Sequence, residues 1–143
     1  MKHTKTYLFA LLVAITFSLP LQALAQENQF SSKSSAWWNS LGQQLDASLH
    51  NSVDQVRDQT LQHVVFFATN YSKKVDLTHL TPTLLDMYKN ERNEARRTMA
   101  VVALHAIGNR VSMNSLAKLA QDEPPGSLRN ITMAALADYN TSS

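Results

Sequence analysis

The chain has no cysteine among its 143 residues. No disulfide can form and no thiol can be lipidated, so an exported form would have to be held by its core alone. Glycine occurs three times, which leaves no glycine-rich loop to cradle a phosphate. No Gly-x-Ser-x-Gly elbow or comparable nucleophile motif is present. The longest apolar stretch, Tyr7 to Leu19, spans 13 residues and is broken by Pro20. A membrane-spanning helix needs about 20. No segment alternates at period two for long enough to make a strand.

That short apolar stretch has a different use. Lys2, His3 and Lys5 precede it, and Ala23-Leu24-Ala25 follows the proline. A basic start, an apolar centre and small residues at the end are the three parts of a secretory signal. The sequence predicts a signal peptide over residues 1–25, cleaved between Ala25 and Gln26, and a periplasmic or secreted product with no stable membrane insertion. Cleavage also changes the charge. The precursor carries 13 Lys+Arg against 11 Asp+Glu; removal of Lys2 and Lys5 leaves 11 of each. A neutral product has no broad electrostatic footprint for nucleic acid.

Residues 26–35 are polar and Ser-rich and read as a flexible leader. Residues 36–143 then show apolar positions at helical spacing. The first expected helix presents Trp38, Leu41, Leu45 and Leu49. Ser52 with Gln55 forms a capping-box pattern for a second helix reaching about Tyr71, its Val64–Phe67 run kept helical by its flanks. Thr81-Pro82 predicts an N-cap and a first-turn proline for a third helix to about Lys89. The fourth runs from Glu94 to Ile107, closed by Gly108 as a left-handed cap. A fifth starts at Ser112 or Met113, and Ser127 caps a sixth that ends near Tyr139.

The last four helices repeat. A shift of 32 residues places Leu84 on Leu116, Glu91 on Glu123, Arg97 on Arg129 and Leu104 on Leu136. A shift of 38 aligns a weaker first copy, with Leu61 on Met99 and Phe66 on Leu104, although Arg57 would need a shift of 40 to meet Arg97. Periods of this size mark stacked supersecondary units. Arg97, Ala103-Leu104 and Ile107-Gly108, echoed by Arg129 and Ala135-Leu136, resemble the second helix of HEAT-like repeats. The resemblance implies an all-α fold: a short right-handed α-solenoid of paired antiparallel helices, about six after the signal peptide. It also implies a protein-binding role, since such arrays mostly bind other proteins.

Chemistry is sparse. His50, His63, His79 and His105 are the histidines left after cleavage, and no two stand three or four apart as a helical metal pair would. No catalytic, cofactor or metal residues are expected. Arg97 and Arg129 are expected to reach carboxylates or carbonyls of an adjacent unit, with an anion-binding row as the functional alternative. The Trp37-Trp38 helix has no basic residue to favour a lipid surface, and is expected to cover the edge of the array. On the fourth helix Ala95, Met99, Val102, Ala106 and the nearby Ala103 are the expected core face. The opposite face, carried through both shifts, gives a mixed strip of His63, Phe67, Val101, His105 and Met133 as the expected partner-docking surface. The functional expectation is an exported, non-catalytic protein–protein interaction module. The alternative is an accessory protein of an enzyme, or a metal- or ligand-binding helical domain with a site across repeats.

Overall fold

In the helix α1, Ser35–Leu49, the buried residues Trp38, Gly42, Leu45 and Leu49 recur every three or four positions, so one stripe faces inward. This is a computed structural model, and it describes residues 30–142. The signal pattern and its cleavage site lie outside those residues, as does the first part of the polar leader; Ser35, the last leader residue, already opens α1. Five more helices follow: α2 Asp54–Asn70, α3 Thr81–Asn90, α4 Glu94–Ile107, α5 Arg110–Leu119 and α6 Ser127–Ser142. A 3-10 turn, Thr78–Leu80, leads directly into α3. The protein is all-α, with no strand among the described residues. No described helix is long and apolar enough to cross a membrane.

Local chemistry sets the helix ends, not always as the sequence suggests. Gly108 closes α4 at φ 65°, a region open to glycine at little cost. Asn93 and Asn109 cap α4 and α5 by accepting from the backbone N–H of Arg96 and Ser112. The latter starts α5 at Arg110, ahead of the expected Ser112 or Met113. Ser52 and Gln55 do not form a capping box. Asn51 Oδ1 instead accepts from Val53 N–H at 2.8 Å and turns the chain into α2, which begins at Asp54. Thr81 is not the N-cap of α3. The 3-10 turn occupies that place, and the Thr81 hydroxyl donates to the Thr78 carbonyl.

The helices α2, α4 and α6 pack successively against one another, while α1 packs on α2, α3 on α4, and α5 beside α3 and α4. Trp38 is buried where α1 meets α2 and makes ring contacts with Phe67 and Tyr71. The segment between α2 and α3 belongs to the core, burying Tyr71, Val75, Leu77 and Leu80.

Two expectations about packing need correction. The core face of α4 is formed by Arg96, Ala100, Val101, Ala103 and Leu104; of the expected face only Ala103 is fully buried, while Ala95 is exposed and Met99, Val102 and Ala106 are half-buried. A two-faced helix was the wrong premise: α4 has neighbours in α2, α3, α5 and α6, so its buried sector is broad. The register of the first copy also changes. At a shift of 40, Thr60, Leu61 and Val64 fall on Ala100, Val101 and Leu104, and all six are buried. At the shift of 38, buried Leu61 would fall on half-buried Met99, and half-buried Phe66 on buried Leu104.

Candidate functional site

The polar interior is organised around arginine. Arg96 is only 3% exposed, yet it reaches three carboxylates. Its Nε donates to Asp58 at 2.7 Å, its Nη1 lies 3.0 Å from Glu91, and its Nη2 3.2 Å from Asp54. Arg57 shares two of these partners, Asp54 and Glu91. Hydrogen bonding to Asp58, followed by that to Glu91 and Asp54, outweighs burial and raises the Arg96 pKa, so the guanidinium stays charged. The Asn93 N–H holds the Glu91 carboxyl below its ordinary range, with Arg96 adding to the effect. Arg57 and then Arg96 do the same for Asp54. The cluster ties α2 to α4.

A second arginine pairing repeats the first one unit further along. Arg97 Nη1 and Nη2 both contact the Glu123 carboxylate, its Nε donates to the Tyr88 carbonyl at 2.6 Å, and its guanidinium carbon lies 5.3 Å from the Tyr88 ring centre. In the corrected register, Arg57 to Glu91 and Arg97 to Glu123 are the same link between successive units. Arg129 stands next in that series. Its Nη1 donates to the Glu123 carbonyl at 2.9 Å, and it makes no ion pair among the described residues.

The expected docking strip does not hold together as a surface. Phe67 and Val101 are 6% and 0% exposed, and no partner can reach them without unpacking the core. His63 is exposed, and Met133 is 51% exposed. His105 is partly exposed and its Nε2 pairs with Asp138 of α6 at 2.9 Å. Val101 is buried because α4 has neighbours on several sides; the choice of His63 and Phe67 follows from the register, since at a shift of 40 the equivalents of Val101 and His105 are Leu61 and Val65.

Two clefts remain. One, of about 520 Å³, lies where the end of α1 and the start of α2 meet α3, lined by polar groups that include His50, Arg57, Thr83, Asp86 and Asn90. The other, of about 350 Å³, runs between α5 and α6 and is lined by Met113, Ala117, Ala120, Arg129, Met133, Leu136 and Tyr139 together with the amides of Asn114, Gln121 and Asn140. Val111 and Ile131 on these helices are exposed as well. Among the described residues no group of three His, Asp or Glu side chains is arranged to hold a metal ion. Comparison with known protein families, curated proteins and solved structures gives no match.

The sequence did not single out the cleft between α5 and α6, although its signal was present in the repeat. Residues 120, 129, 133 and 136 lie 32 positions after Tyr88, Arg97, Val101 and Leu104. Tyr88, Val101 and Leu104 are buried on α3 and α4, the helices against which α5 and α6 pack. The cleft is thus the same face one unit later, with no further helix over it among the described residues.

Proposed function

We propose that this chain is an exported, non-catalytic protein–protein interaction module, a short HEAT-like α-solenoid whose docking surface is the outer side of α5 and α6. One observation carries the reading. Val101 is fully buried, whereas Met133, its equivalent 32 residues on, is 51% exposed and lines the open cleft. Apolar side chains set among amides suit a protein partner. The polar cleft beside α3 supports a second reading, a small-ligand site, because the buried Arg57 Nε there has no hydrogen-bond partner.

The test places a photo-crosslinking side chain at Met133 in the full chain, expressed in its native envelope, with a matched probe at exposed Gln62 as control. One discrete adduct at 133 and none at 62 is the expected result. Failure to capture any protein at Val111, Ile131 and Met133 would overturn the reading. Mass spectrometry of the same recovered protein checks export, with Gln26 as the expected first residue.

A further inference from the structure

We infer that the cleft between α5 and α6 receives a helix of another protein that carries a carboxylate at its end, held by Arg129 in the way Glu123 is held by Arg97. This rests on the interaction-module reading and names the chemistry of its partner.

Charge complementarity selects the occupant. Each preceding arginine of the series is answered by a glutamate from the break that follows: Arg57 by Glu91, Arg97 by Glu123. Arg129 lines the open cleft, and no carboxylate lines it. A guanidinium keeps its charge and offers five N–H donors in a planar fork. Arg129 uses one of them on the Glu123 carbonyl, which leaves donors for a carboxylate.

Shape selects a helix. On α3 and α4, which pack against α5 and α6, the equivalents Tyr88, Val101 and Leu104 are buried. The helix α5 offers Met113 and Leu116 as buried apolar positions and ends at the break that bears Glu123. The fitting partner therefore carries apolar residues three or four apart and an acid just beyond the helix end. Met133 and Leu136 would cover the apolar stripe, and Arg129 would bind the acid.

A second copy of this chain fits less well. Its first unit would have to supply the acid from the break between α1 and α2. The residue 40 positions before Glu91 is Asn51, and the one 38 before is Val53. Neither is a carboxylate.

The probe is a hydrocarbon-stapled peptide of residues 110–125 of this chain, fluorescently labelled, made with Glu123 and with Glu123→Gln. Each is titrated against the full chain and against its Arg129→Gln variant, with helicity checked by circular dichroism. The expected result is saturable binding of the Glu123 peptide, weakened about tenfold by either change. The two changes together should cost little more than one, because they remove the same pair. Absence of saturable binding to the folded chain overturns the proposal, as does equal affinity in all four combinations. Sedimentation showing an Arg129-dependent dimer of the chain alone would also overturn it, because the occupant is then a second copy. A Met133 adduct in the envelope together with failure here would remove only the acid-helix assignment and leave the interaction module standing.

Discussion

Asp58 and Arg96 meet across the interface of α2 and α4, Oδ1 to Nε at 2.7 Å, although 38 residues separate them in the chain. Arg96 is the buried partner and Asp58 the half-exposed one, so the pair hangs on the arginine. Burying a guanidinium is costly unless its donors are satisfied, and here three carboxylates satisfy them.

Replacing Arg96 with Ala is expected to destabilise the fold by about 3–5 kcal/mol, the range for breaking a buried ion cluster by removing one member. Glu91 is the group left most exposed to the loss, because its side chain is only 12% exposed. Arg96→Lys should recover part of the stability, since an ammonium cannot span three separated carboxylates. Urea denaturation measures both. A loss below about 0.5 kcal/mol for Arg96→Ala would place the arginine among ordinary surface residues.

Much of the fold was legible in the sequence. Apolar spacing located all six helices, and Gly108 marked the end of α4 because the left-handed conformation favours a residue without a Cβ. Glu91, Glu123, Arg97 and Arg129 stood out by their repetition. Arg96 did not, because Arg97 beside it matched the repeat and a partner 38 residues away leaves no local trace. The docking strip failed for a related reason. Helical spacing tells which residues share a face, but α4 has neighbours on several sides, and only the packing shows that Val101 faces one of them.

The arginine cluster also sets the response to acid. Glu91 has a folded pKa below its ordinary 4.5. Between the two values the unfolded chain binds more protons, so stability rises with pH there. The contribution of Glu91 is complete above the ordinary value and is lost as pH falls through the lowered folded one. The stability gap between the parent chain and Glu91→Gln should therefore shrink on going from about pH 7 to about pH 3. Urea midpoints across that range check it, and a constant gap would contradict the assignment.

Gly108→Ala is expected to cost about 1–2 kcal/mol, the penalty for placing a Cβ in the left-handed region. Its φ of 65° sets that cost, since the space around it is open: an added Cβ would meet nothing closer than the His105 carbonyl at 3.7 Å. Thermal unfolding of the variant measures the loss. An unchanged midpoint would mean that α4 ends differently in solution.

Val101 and Met133 provide the sharpest contrast, because the repeat makes them equivalent and the packing does not. Val101 has no exposed surface, so Val101→Asp forces a carboxylate among apolar neighbours and should destabilise by more than about 4 kcal/mol or prevent folding. Met133→Asp places the same charge on an open face and should change stability by less than about 0.5 kcal/mol. Leu104 and Leu136 should follow in milder form. Leu104→Ala opens a cavity and is expected to cost about 2–5 kcal/mol, whereas half-buried Leu136 should lose about 1 kcal/mol. Denaturation of the four variants in one buffer reads all of these costs. Comparable losses at Met133 and Val101 would mean that the outer face of α6 is already covered in the free protein, and the cleft would then be closed to any partner.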